Sequence, residues 1–207
     1  MADEFYQKGF SLYRNDHKFE EAITWFDKAL NVDPKHINSL WGKGECLRMV
    51  DKYSESITWF DEALNVDPNH VNSLWEKGDC FRMMNKYSES ITCFDKALNV
   101  DLNHVDSLWG KGDSLRMMEK YSESITWYDK ALNVDPNHVN SLYGKGHCLR
   151  MMNKYSESIT WFDKALNLDP NHTLSIEGKE KSLKAMNNNK QDIAAVLGKG
   201  LIAITTF

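Results

Sequence analysis

The chain has 207 residues, 42% of them hydrophobic and 27% charged, and a formal net charge of −5. That length suits one domain or an elongated array, and the acidic balance leaves no basic footprint for nucleic acid. No stretch reaches the roughly 18–20 apolar residues of a membrane span, and the opening MADEFYQKGF lacks the basic start and apolar run of a signal peptide.

Residues 3–36 form a loose first copy of a unit that recurs along the chain. Phe5, Tyr6 and Gly9 occupy its first half, and Ala22, Phe26, Ala29 and Pro34 its second, around a turn Arg14-Asn15-Asp16-His17-Lys18 with one extra residue. The unit is clearest at 37–70, INSLWGKGECLRMVDKYSESITWFDEALNVDPNH. It returns at 71–104, 105–138 and 139–172, and Pro34, Pro68, Pro136 and Pro170 lie 34 residues apart or twice that. A period of this length marks stacked repeats rather than one globular core. Leu40, Gly44 and Leu47 share one helical face. Asp51-Lys52-Tyr53 interrupts the pattern, and Ser54 is the expected cap of a second helix. That helix carries Ile57, Phe60 and Leu64 on one stripe, and Asp67-Pro68-Asn69 ends it, because proline disfavours helix in the residue before it. Neither helix is long enough to be stable alone, so each pair must bury its stripe on its neighbours.

From Thr173 the pattern decays: Glu177, Glu180 and Lys181 replace the Trp, Gly and acidic slots. The sequence predicts a polar-faced cap helix over 173–186, a break at Asn187-Asn188-Asn189, and a degenerate sixth repeat or irregular tail over 187–207. Leu201 to Phe207 is an apolar segment without an upstream counterpart, expected either to pack over the last repeat or to mediate self-association or partner docking. Cys46, Cys80 and Cys148 share one slot, which Ser114 fills in the other copy, and Cys93 stands where Trp59 and Trp127 stand. Equivalent slots on stacked helices sit about 8–10 Å apart, too far for a disulfide. Free thiols and a cytoplasmic location are the expectation.

The pattern resembles the tetratricopeptide repeat (TPR) family. Leu40, Gly44, Leu47, Tyr53, Ser56, Phe60, Ala63 and Pro68 carry the resemblance, which recurs through Ala165 and Pro170 and covers roughly residues 3–186. Leu40 stands where the family often has a large aromatic, and Leu102 replaces one proline. The resemblance implies an all-α, right-handed superhelical solenoid of stacked antiparallel helix pairs. It further implies a non-catalytic protein–protein interaction scaffold that holds a peptide or partner helix in a concave groove. The carboxylate-clamp type of groove is not matched, since its basic and Asn slots hold Trp41, Gly42 and Glu45.

Candidate groove residues lie on the first helix of each repeat, away from Leu40, Gly44 and Leu47. They form four ladders: Asn38, Asn72, Asp106 and Asn140; Trp41, Trp75, Trp109 and Tyr143; Glu45, Asp79, Asp113 and His147; Arg48, Arg82, Arg116 and Arg150. Met49, Met83, Met117 and Met151 border them. Aromatic, Met and Arg side chains supply binding hot spots and adaptable surfaces. In the groove reading the aromatics pack ligand side chains, the arginines fix acidic groups or carbonyls, and the Asn ladder bonds the ligand's main chain. Gly42, Gly110 and Gly144 leave room for close approach of a ligand or for the Trp rings. The plainer reading has Glu45 and Arg48 pairing only with each other.

His36, His70, His104, His138 and His172 recur once per repeat beside the Pro-Asn turns and read as solvated loop histidines, too far apart to share a metal. Gly42-Lys43-Gly44 lacks the spacing of a phosphate loop. A catalytic site needs one unique geometry, whereas nearly every polar residue here is copied in register, so neither enzyme activity nor a cofactor is expected. The alternative to a partner-binding scaffold is a structural repeat protein that associates through its ends or its apolar tail.

Overall fold

The computed structural model describes the backbone of residues 1–204 and side chains through residue 188. The described residues form helices in consecutive antiparallel pairs, with no strand among them. They fall into two compact units, one spanning Met1–Met118 and a second beginning at Glu119. The first holds α1 (Ala2–Asn15), α2 (Phe19–Val32), α3 (Ile37–Met49), α4 (Tyr53–Val66), α5 (Val71–Met83), α6 (Tyr87–Val100) and α7 (Val105–Met117). The second holds α8 (Tyr121–Val134), α9 (Val139–Met151), α10 (Tyr155–Leu168) and α11 (Thr173–Ile204).

Buried rings at Phe26, Phe94, Tyr128 and Phe162 lock the second helix of a repeat onto the helix that follows it. Phe26, Phe60, Phe94, Tyr128 and Phe162 are fully buried on the second helices, and burying a side chain of this size stabilises by about 2–3 kcal/mol. The Phe94 ring packs on Gly78 of its own pair and on Gly110 of the following helix, where an added Cβ would meet ring carbons at 2.8 and 2.6 Å. In the second unit, Tyr128 lies as close to Gly144, and Phe162 to Gly146 and Gly178. The glycines at 42, 110 and 144 therefore accommodate the buried ring of the preceding helix, neither a ligand nor the Trp rings. Beside the rings, small residues close the stack through hydrogen bonds. Ser56 Oγ lies 3.5 Å from Cys80 Sγ and Ser90 Oγ 3.0 Å from Ser114 Oγ; in the second unit Cys148 Sγ donates to Ser124 Oγ at 3.4 Å. All four cysteines are free and buried.

The turns differ from expectation in two respects. Lys52, not Ser54, precedes α4, and no side chain caps that helix. The chain instead enters through a left-handed residue: His17, Asp51, Asn85, Glu119 and Asn153 all have φ of 51–61°, which brings Ser54 inside the first turn. The histidines are half-buried N-caps rather than solvated loop residues. The Nδ1 atoms of His36, His70, His104, His138 and His172 lie 2.7–2.8 Å from Oγ of the serine three residues on. Those serines are fully buried, so the ring satisfies a hydroxyl that would otherwise lose its water. At the other helix ends Asp67, before Pro68, is extended at φ −130°, ψ 98°, and its carboxylate accepts the Asn69 N–H at 2.9 Å.

α11 runs unbroken through Asn187-Asn188-Asn189, where the sequence suggested a break. Asparagine is a weak helix former rather than a breaker like proline, and no proline follows it. The apolar segment from Leu201 lies outside the described side chains, and residues 205–207 outside the described residues altogether.

Candidate functional site

In the first unit, the proposed ladders of α3, α5 and α7 separate by depth. Asn38, Asn72 and Asp106 are exposed, and Trp41, Trp75 and Trp109 are half-buried. Glu45, Asp79 and Asp113 are buried, with relative exposures of 3%, 6% and 7%. Arg48, Arg82 and Arg116 lie over them half-buried, and Met49, Met83 and Met117 stand exposed at the helix ends. The spacing i, i+3, i+7 and i+10 puts all of these on one helical side, and the stacking repeats that side helix by helix.

The carboxylates and guanidiniums form one continuous chain of ion pairs. Arg48 donates from Nε and Nη2 to Glu45 at 2.8 and 2.7 Å, and its Nη1 reaches Asp79 Oδ2 at 3.4 Å. Arg82 donates to Asp79 Oδ1 from Nε at 2.9 Å and from Nη2 at 2.6 Å, and its Nη1 donates to Asp113 at 3.2 Å. Arg116 donates to Asp113 at 2.9 and 2.7 Å. At the other end, Tyr13 donates its hydroxyl proton to Glu45 Oε1 at 3.0 Å. The first unit's arginines are thus held by the chain's own acids, as the plainer sequence reading foresaw for Glu45 and Arg48. The links between helices add to it.

Glu76 sits within this chain, in the slot that holds Gly42, Gly110 and Gly144 in the other three near-identical repeats. It is 4% exposed and its Oε2 is 2.8 Å from Arg48 Nε. No donor hydrogen points at that oxygen, because the Nε–H is directed to Glu45 instead. Burial, with the neighbouring Glu45 charge, pushes the Glu76 carboxyl up to about 9 against the pull of Arg48. It is therefore neutral at pH 7 and able to donate to Glu45. Burial likewise pushes the Cys46 and Cys80 thiols up to about 12, which makes them poor nucleophiles.

An open cavity of about 320 Å³ lies at the start of the same face, lined by Phe10, Tyr13, Arg14, His17, Phe19, Trp41 and Met49. The sequence alone assigns only Trp41 and Met49 of this set to the binding face, because the first repeat is divergent: Phe10 and Tyr13 stand in the slots that hold Glu45 and Arg48 in the next repeat, so no ladder of like residues marks them.

In the second unit the face of α9 keeps Asn140 exposed, with Tyr143, His147 and Arg150 half-buried. Tyr143 packs edge-on against His147 and His172, at ring separations of 6.0 and 5.6 Å. Among the described residues no group of three His, Cys, Asp or Glu side chains could hold a metal ion, and no helix is long and apolar enough to cross a membrane.

Two family models match the chain. One, described as tetratricopeptide repeat, matches residues 105–171. The other, described as anaphase-promoting complex, cyclosome, subunit 3, matches residues 15–97. No curated protein matches it in sequence. Among solved structures, YrrB, described as a TPR protein with an unusual peptide-binding site, is 19% identical with a TM-score of 0.68, covering 87% of this chain and 92% of that one. MamA is 19% identical with a TM-score of 0.69, over 85% and 96%. A tetratricopeptide repeat protein from Parabacteroides merdae is 18% identical with a TM-score of 0.76, over 93% and 76%. At these identities the likeness is one of fold.

Proposed function

Because this chain is a tetratricopeptide repeat protein, we propose that it is a non-catalytic scaffold that binds an extended peptide or a partner helix on the face carried by its first helices. The observation that carries this reading is the surface of α3, α5 and α7. Exposed Asn38, Asn72 and Asp106, half-exposed indoles and exposed methionines recur in register there, above a floor of ion pairs already satisfied within the protein. The exposed amides offer main-chain hydrogen bonds. Met49, Met83 and Met117, each 43–46% exposed, offer adaptable apolar contact. The arginines of this unit position the floor rather than the ligand. Buried free thiols suit a reducing compartment, and we place the protein in the cytoplasm. YrrB, a TPR protein of the same fold with an unusual peptide-binding site, agrees with a peptide ligand.

The test is a selection of short random peptides displayed against the full chain, followed by affinity measurements on variants. Asn72→Ala combined with Met83→Asp should weaken the selected peptides by about tenfold or more, the scale of a single hot spot. Lys96→Glu, exposed on α6, should leave them unchanged. Peptides indifferent to the first variant, or a selection that yields none, would refute the reading.

A further inference from the structure

We infer that Arg150 is a carboxylate-binding residue: it takes an acidic group of a peptide ligand at the α9 face of the second unit. The inference rests on the reading of the first helices as peptide-binding, proposed above, and names the chemistry of a ligand at α9.

The repeats act as controls for one another. In the first unit every ladder arginine meets a carboxylate three residues back on its own helix: Glu45 at 2.7 Å, Asp79 at 2.6 Å and Asp113 at 2.7 Å. Arg48 and Arg82 also meet the residue 31 positions on, Asp79 at 3.4 Å and Asp113 at 3.2 Å. For Arg150 both slots are replaced. Three residues back stands His147, and 31 positions on stands Lys181. The polar contact Arg150 makes is from Nη2 to His147 Nε2, at 3.2 Å. An imidazole that accepts a hydrogen bond is neutral and cancels no charge. The Arg150 Nε–H is buried without any acceptor. Among the described residues no carboxylate pairs with this guanidinium, whereas Lys181, 62% exposed, pairs with Glu177 at 3.0 Å.

A half-buried, permanently charged fork of donors facing the binding surface favours a carboxylate. The planar group matches that geometry, and both charge and donors are left over. Two sources of the acid share this chemistry, an Asp or Glu side chain and the free carboxyl terminus of a peptide.

The experiment uses peptides selected against the full wild-type chain, synthesised in three forms: as selected, with the acidic side chain converted to its amide, and with an amidated carboxyl terminus. Each form is titrated against the wild-type chain and against Arg150→Gln by fluorescence anisotropy. We expect one neutralised form to bind the wild-type chain about tenfold more weakly, as befits a charge-assisted contact, and that form identifies the source. The same neutralisation should have less than about twofold effect on Arg150→Gln, because the two changes remove one contact. Neutral forms that bind the wild-type chain undiminished overturn the inference, and that arm needs no variant to fold. Equal losses for charged and neutral peptides on Arg150→Gln also overturn it, because they indicate a structural role. If the peptides depend on Asn72 and Met83 but not on their acids, the inference alone fails. If no peptide binds at all, the binding face fails and the inference with it.

Discussion

Replacing Glu76 by Gln should make the protein more stable at neutral pH, although it removes a charged group beside Arg48. The folded state holds the Glu76 proton up to about pH 9, against an ordinary carboxyl value of 4.5. Between those limits folding takes up a proton that the unfolded chain has released, so stability falls by about 1.4 kcal/mol per pH unit as pH rises. The contribution is fully present below pH 4.5 and lost as pH climbs towards 9. At pH 7 this proton uptake costs about 3 kcal/mol. Gln has the shape of the protonated acid, and its amide still donates to Glu45 while its oxygen still faces Arg48, yet it binds no proton. Urea unfolding followed by circular dichroism at about pH 5, 7 and 8.5 compares the two chains, and titrations common to both cancel in the difference. The stability gained by Glu76→Gln should be near zero at the lowest pH and grow towards the highest. A difference that does not vary with pH, or a variant less stable at pH 7, would refute the account of a neutral acid buried among carboxylates.

Gly144→Ala should be destabilising by up to about 2 kcal/mol: alanine gains about 1 kcal/mol in helix propensity, but its Cβ would fall 2.3 Å from Tyr128 Cζ, and overpacking of this kind costs about 1–3 kcal/mol; a raised thermal midpoint would count against the ring-wedge packing. Glu119→Gly, at φ 60°, should stabilise by about 0.5–1 kcal/mol by relieving a left-handed conformation. Asn85→Gly, where asparagine tolerates that conformation, should change the same melt little. The cysteines, all buried, should react with a thiol reagent at pH 8 only after unfolding; rapid labelling of the folded chain would contradict their burial. Burial lowers the His70 value below 6.5, so its contribution is present above pH 6.5 and lost as pH falls below that; His70→Gln should flatten this part of the stability profile.

Much of the architecture was legible because repetition multiplies weak signals. One Leu40-Gly44-Leu47 stripe would be ambiguous, but copies at a fixed period leave only stacking as a way to bury it. What remained hidden depends on which helix lies against which. Gly42 and Gly110 read equally well as room for a ligand or for a Trp ring, because the ring that fills the slot, Phe26 or Phe94, comes from the preceding helix, 16 residues away in sequence. The Glu45–Arg48 pair could be read from helical spacing, whereas the reach of Arg48 to Asp79 follows from stacking. The histidine caps are different: His followed three residues on by Ser occurs at the starts of α3, α5, α7, α9 and α11. That is the spacing of a capping interaction, a signal that the turn's proline and asparagine obscured.

Near-identity between copies cuts both ways for the candidate site. It prevents any repeated residue from being singled out, since Arg48, Arg82 and Arg116 are one choice copied rather than three. It also makes each departure informative, because the same backbone slot is seen elsewhere with its usual occupant. Glu76 departs from glycine and is absorbed by the protein itself, kept neutral among Glu45, Arg48 and Asp79. His147 and Lys181 depart from acids, and nothing in the described protein takes up the charge they leave on Arg150. The first departure is complete within the fold and asks for no ligand. The second leaves the Arg150 guanidinium without a carboxylate among the described residues, and that asymmetry, rather than the repeated ladder, is what the proposal of an acidic ligand at α9 rests on.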